Sequence, residues 1–312
     1  MGIIVEKYEP RMQEEWDEFV DNSYNGTIFH KQRFLLYHRP YRFKDKSLVF
    51  KRKDSIISVF PAADIDNCLN SHPGTSFGGP VFAYSGIKTV LGVIDQIIKY
   101  AKDNEFKSII MRLPPNIVKE YPIEAVEFAL FYSGFKIDIM ELGTCVPLGI
   151  IYPIYNHYQA AHKANKKGVC IRESNDFDIF WEILRENLKR HDTTPTHTIV
   201  EIEKLRKLFP NDIKLFAAYL DGKMISGTVI FVNNNASFET FYIAQNYEYQ
   251  DYRSVNLLII KVMEWATYHG YRFMNFGIST EDNGKKLNLG LSKFKEGFGG
   301  CDVVRKIYKM EL

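Results

Sequence analysis

The chain has 312 residues, 46% hydrophobic and 25% charged, the composition of a folded globular protein with one large or two ordinary domains. A net charge of +2 is too small to make nucleic acid or an anionic membrane the main partner, and DNA is excluded from the expected partners. Four cysteines lack metal-ligand or redox spacing, the amino end shows no signal-peptide pattern, and no apolar run is long enough to span a bilayer. The expectation is a cytoplasmic protein without an integral membrane segment.

In chain order, IIVEKY at 3–8 reads as a strand, and Met12, Trp16, Phe19 and Val20 mark an amphipathic helix over about 11–21. Strands at about 46–52 and 55–62 turn at Lys53–Asp54, and a Gly/Pro loop, SHPGTSFGGPVF, follows. A helix over 86–103 leads into the strand KSIIMRL, which ends at Pro114–Pro115. The second half repeats this order. A helix over 176–190 starts on Asp176 as N-cap, and strands at 213–220 and 225–232 join through Asp221–Gly222. The strand SFETFYIA, a helix over 254–269 and the strand YRFMNFG follow. The joints KYAKDNEFKSIIM (99–111) and EWATYHGYRFMNF (264–276) can be laid over one another. The pattern predicts an α+β protein with mixed sheets, in two similar domains over 1–150 and 151–312 joined around PLGIIYPIY, with room for the C-terminal strand to pack on the first domain.

Several chemistries are excluded by pattern. No G-x-S-x-G elbow, phosphate loop or dinucleotide fingerprint occurs, and His191 and His197, six apart in a Thr/Pro loop, make no metal site. Two stretches remain. In SFETFYIAQNYEYQDYRSVNLLIIKVMEW a strand, a polar aromatic loop and a helix follow one another. The unpaired N–H groups of the first turn, at Arg253, Ser254, Val255 and Asn256, can hold a pyrophosphate, with the Arg253 charge and the Ser254 hydroxyl adding to it. The alternative is that Ser254 is only an N-cap and Arg253 a solvated charge. GLSKFKEGFGG, at 290–300, reads as a short amphipathic helix (Leu289, Leu291, Phe294, Phe298) capped by Gly299–Gly300 with its lysines in solvent. The other reading turns Lys293 and Lys295 toward an acidic ligand, with Phe294 as the anchor.

NGTIFHKQRFLLYH, AAHKANKKGV, LFAAYLDGKMISGTVIFV, YRSVNLLIIKVMEWATYHGYRFMNFGISTED and GLSKFKEGFGG occur in one order. In that order they resemble FemAB-like acyltransferases built from tandem GNAT domains. The resemblance covers nearly the whole chain and is strongest from about 155 to 300. It implies two GNAT-like domains with a cleft between or within them, and a lysine in the active-site channel at the position of Lys295.

Relatives contact the acceptor with a glutamine or histidine, an aromatic and a lysine. This chain has His30, Phe34 and then Tyr37–His38–Arg39. Where they have paired arginines before the inter-domain KA, it has Tyr158–Gln159, followed by His162, Lys163, Lys166 and Lys167. Their aromatic-Asp-aromatic-Gly strand motif reads FMNFG, with Asn275 in the acidic position, and the acyl-CoA loop Q/R-x-x-G-x-G/A starts at Gln250 but keeps neither glycine.

From the resemblance we expect an N-acyltransferase moving an acyl group, acetyl above all, from acyl-CoA to an amine of an amino sugar or cell-envelope precursor. The acceptor would be a small molecule or a sugar nucleotide, touched by His30, Arg39, His162, Asn275 and Phe294. Main-chain N–H groups around Phe241–Ile243 would receive the oxyanion, and Glu239, Tyr242, Glu281 and Asp282 are the candidate acid or base groups beside Lys295. One alternative takes aminoacyl-tRNA as donor and a peptidoglycan precursor as acceptor. The other is a non-catalytic binding module on a decayed GNAT pair.

Overall fold

The computed structural model describes residues 2–150, 154–190 and 192–312. Part of the expected joint at 147–155, and His191, therefore lie outside the described residues. The chain gathers into two compact units. One comprises the chain up to Leu142 with Thr280–Lys286 and Val304–Leu312; the other comprises Gly143–Ser279 and Leu287–Val303.

In the first unit, Ile4–Lys7, Leu48–Arg52, Ser55–Phe60 and Val81–Phe82 form an antiparallel sheet, with Lys53 in the left-handed conformation at the hairpin turn. Trp16 and Val20 of the helix Gln13–Asp21 pack with Val49, Val59 and Val81 of this sheet. A second set of strands is built around Ser108–Arg112, which runs parallel to Cys68–Ser71 and antiparallel to residues 307–311 of the strand Cys301–Glu311. The helix Ile87–Asp103 buries Val90, Val93, Ile94, Ile97 and Ala101, the 3.6-residue stripe read from its sequence.

The second unit is a mixed sheet in the order Cys170–Ser174, Ile213–Leu220, Lys223–Val232, Ser237–Gln245, Phe273–Ile278 and residues 143–147 of the strand Lys136–Pro147. Every pairing is antiparallel except that of Ser237–Gln245 with Phe273–Ile278. The helix Ser254–Tyr268 between those two strands makes the crossover that a parallel pair requires. Side chains of successive strand residues face opposite ways. Phe216 and Ala218 join the core formed with Ser254–Tyr268 and the helix Tyr155–Lys166, whereas Gly227 lies against Phe180 of the helix Phe177–Lys189. A side chain at Gly227 would meet the Phe180 ring at 2.6 Å, so glycine lets that helix sit close.

Two helix starts differ from expectation. Asp176 stands at the N-cap of Phe177–Lys189 but makes no capping bond, because its carboxylate accepts from Ser174 Oγ and Tyr219 Oη instead. Ser254 is the first helical residue rather than the cap, and Arg253 takes the cap position at φ +55°. The helix Ile199–Leu208, with a Thr198/Glu201 capping box, escapes the periodicity reading because its apolar face is short.

Candidate active site

The strands Ser237–Gln245 and Phe273–Ile278 pair only over Ser237–Glu239 with Phe273–Asn275, and beyond that register they part. On its other side Ser237–Gln245 carries a bulge: Tyr242 faces Val229 and Thr240 faces Ile230, so Phe241 falls at the register shift. The parting strands and the bulge lie at the place where the sequence predicted main-chain donors.

Just past the paired residues the chain turns at Gly277, whose φ is +71°, a conformation that glycine takes without strain. The neighbouring Gly143 permits the approach, since a side chain there would stand 3.0 Å from the Gly277 oxygen. Lys295, on the helix Leu289–Glu296, donates to the carbonyls of Gly277 (3.1 Å) and Ile278 (2.6 Å). It is 4% exposed, and burial alone pushes its pKa down to about 8. An ammonium has three N–H donors, so one is left unspent among the described residues. Two hydroxyls of this neighbourhood, Thr144 Oγ1 and Ser279 Oγ, are also buried without a partner among the described residues.

The glycines that made GLSKFKEGFGG hard to classify explain how Lys295 is held. The helix stops at Glu296, and Gly299 takes φ +85°. A side chain at Gly297 would meet the His157 ring at 2.4 Å, and one at Gly300 would meet Thr144 Cγ2 at 2.2 Å and the Lys295 carbonyl oxygen at 2.9 Å. Phe298 is fully buried against His157 and Phe294, and Phe294 is half-buried in the same cluster. Burying a phenylalanine contributes about 1.5–3 kcal/mol, enough to pin a two-turn helix that could not hold itself. Lys293 is exposed.

Next to Lys295, Asn275 donates from Nδ2 to Glu239 Oε1 (2.7 Å) and accepts the Gly277 N–H at Oδ1 (3.0 Å). Glu239 and Asn275 are both buried, so the structure joins two candidates that the sequence placed 36 residues apart. Tyr242 stands elsewhere. Its hydroxyl accepts the His197 N–H (3.1 Å) and lies 2.8 Å from His197 Nδ1, and burial pushes its pKa up to about 12.

The amino end of Ser254–Tyr268 differs from the expected pyrophosphate cradle. Ser254 points inward, accepting from Ser226 Oγ at 2.9 Å, so its hydroxyl is committed to the core. Arg253 keeps, with a full side chain, the left-handed backbone that suits a glycine. Val255 is partly buried against the core cluster, and the Asn256 amide lies 3.1 Å from His157 Nδ1. Lys167 donates to the Asp251 carbonyl and covers the Tyr252 ring, a contact that sequence spacing does not reveal.

The remaining candidates are Glu281, Asp282, His162, Arg39 and His30. Glu281 pairs with Lys286 in an exposed hairpin whose turn holds Asp282 at φ +49°. His162 is exposed on Tyr155–Lys166, and Arg39 is exposed in the first unit. His30 is fully buried between Thr27 and the Gly78 carbonyl, and burial pushes its pKa down to about 4. Among the described residues no group of three or more His, Cys, Asp or Glu could hold a metal ion, and no helix is long and apolar enough to cross a membrane.

Residues 221–309 match the model of the FemAB family, a segment that contains Glu239, Asn275, Gly277 and Lys295. The solved structure of FemX is similar over 99% of this chain and 97% of its own, with a TM-score of 0.75 at 15% identity. A tandem GNAT protein from the clavulanic acid biosynthesis pathway is similar over 99% of this chain and 98% of its own, with a TM-score of 0.56 at 10% identity. L-PGS from Bacillus licheniformis is similar over 97% of this chain and 92% of its own, with a TM-score of 0.64 at 12% identity. No curated protein matches the chain. The fold is thus the mixed-sheet, tandem GNAT-like fold of these proteins. The family match covers residues 221–309, so the chain is FemAB-like in that segment and GNAT-like in fold.

Proposed function

We propose that the chain transfers an aminoacyl group from aminoacyl-tRNA to an amine of a peptidoglycan precursor. The observation that carries this reading is the Lys295 site itself, which lies inside the FemAB match and presents a buried ammonium with an unspent donor beside two parting strands. The amino end of Ser254–Tyr268 supports the choice of donor. Its first turn presents Arg253 and Asn256 side chains where a flat pyrophosphate needs bare backbone, and its serine is turned inward.

In the proposed reaction the acceptor nitrogen attacks the ester carbonyl of the donor, and the carbonyl π pair moves onto oxygen. The Lys295 ammonium offers its remaining N–H to that oxyanion in a dry site, where such a donor is strongest. Collapse breaks the ester C–O bond, the tRNA hydroxyl leaves with one proton, and the new amide is released.

A second reading keeps acyl-CoA as donor and an amino sugar as acceptor, and the parted strands beside the bulge at Phe241 favour it. The two are separated by binding. Under the first, aminoacyl-tRNA binds with an affinity that falls steeply with salt, and acetyl-CoA gives no heat in calorimetry. Micromolar binding of acetyl-CoA with no tRNA gel shift would overturn it in favour of the second.

A further inference from the structure

We propose that Asn275 and Glu239 are positioning residues for Lys295: the carboxamide, oriented by the carboxylate, fixes the Gly277 turn whose carbonyls aim the ammonium. The inference rests on reading Lys295 as the charge at the reacting centre, and it assigns Glu239 a role other than general base.

Consider first the backbone. The pairing of Phe273–Ile278 with its neighbour is regular as far as Asn275 opposite Cys145, then jumps to Ile278 opposite Gly143. Gly277 sits in that break with φ +71°, so its N–H leaves the ladder and is taken by Asn275 Oδ1 at 3.0 Å. The same turn directs two successive carbonyls, of Gly277 and Ile278, onto Lys295 Nζ. Without Asn275 a buried donor loses its partner, and the turn loses the bond that closes it.

The amide is required by its other contact. Asn275 Nδ2 donates to Glu239 Oε1 at 2.7 Å, and the two residues are 3% and 7% exposed. An aspartate could accept from Gly277 but has no hydrogen for Glu239, and it would bring two buried carboxylates together. Glu239 therefore selects asparagine at this position. Cys145, opposite Asn275, is a titratable group facing this pair, with Cys301 within its field; burial first and the Glu239 charge second push its thiol up, so it stays protonated.

The test follows the Lys295 ammonium by NMR in protein labelled with carbon-13 at the lysine ε position, the resonance being assigned by its loss in K295M. In the unaltered protein the Lys295 midpoint falls below those of the surface lysines. In N275A and E239A the turn loosens, water enters, and the midpoint rises by about one pH unit toward the ordinary value near 10.4. E239Q, whose amide oxygen still accepts from Asn275, restores the native midpoint, a rescue that loss of packing alone would not give. An unmoved midpoint in folded N275A and E239A overturns the proposal, and so does an E239Q midpoint displaced as far as that of E239A. If N275A fails to fold, the Glu239 pair of variants decides. The measurement needs no substrate, so an error in the proposed donor or acceptor leaves it intact, whereas full turnover in K295A would sink the functional reading alone.

Discussion

Two lysines in this chain are buried almost equally, Lys119 in the first unit at 3% exposure and Lys295 in the second at 4%, and burial pushes both down to about 8. Their surroundings differ. Lys119 donates to the Asn116 amide oxygen within the field of Glu127 and Glu124, where Lys306 and Tyr308 already hold Glu127. Its charge is answered by its own domain. Among the described residues Lys295 bonds to main-chain carbonyls alone, and no carboxylate contributes to its shift. Burial and a displaced pKa thus do not by themselves distinguish the two lysines; the carboxylates that answer Lys119 and not Lys295 do.

This contrast can be broken by mutation. The largest effect is expected for K295A, which should lower turnover by about 100-fold or more with the melting transition intact, while K119M leaves turnover within a few-fold. Equal losses in the two variants would erase the distinction.

The next effect is in pH. Transfer should fall as pH rises through about 8 and Lys295 loses its proton. Stability moves the other way. Between about 8 and 10.5 the unfolded chain binds protons that the folded chain has given up, so stability rises with pH there, by on the order of a few kcal/mol per lysine. Denaturant melts at pH 7.5 and 10.5 should show this rise, reduced in either K119M or K295M.

The smallest effect sharpens the assignment of Lys119. Its charge is one of the influences that lower His30, after burial, so K119M should raise the His30 titration midpoint by a few tenths of a pH unit while K295M leaves it unchanged. Histidine NMR across pH 3–7 reads this directly.

What was legible in the sequence is local. The stripe of Ile87–Asp103, the hairpin turns at Lys53–Asp54 and Asp221–Gly222, and the helix under Lys295 all follow from neighbours in sequence. What was not legible depends on partners far along the chain. Glu239 and Asn275 meet only because two strands pair in parallel across a helix, and Ser254 turns inward because Ser226 waits beneath it. The Gly277 turn looked like the end of a strand; its meaning comes from Lys295, 18 residues later. Glu281 and Asp282 stood out by their place after the strand, but that place is an exposed hairpin where Lys286 answers Glu281.

The membership of Val304–Leu312 in the first unit has a consequence for how the protein is made. Ser108–Arg112 needs residues 307–311 as its antiparallel neighbour, and Glu127 needs Lys306 and Tyr308. At 5–20 residues per second, roughly 10–40 s of synthesis separate Arg112 from Glu311. For that interval the unit synthesised first lacks one of its strands and exposes the edge of Ser108–Arg112 to other chains. The unit synthesised second has its main sheet complete as soon as Phe273–Ile278 is made. The strands of the second unit's main sheet are therefore all made before the last strand of the first unit.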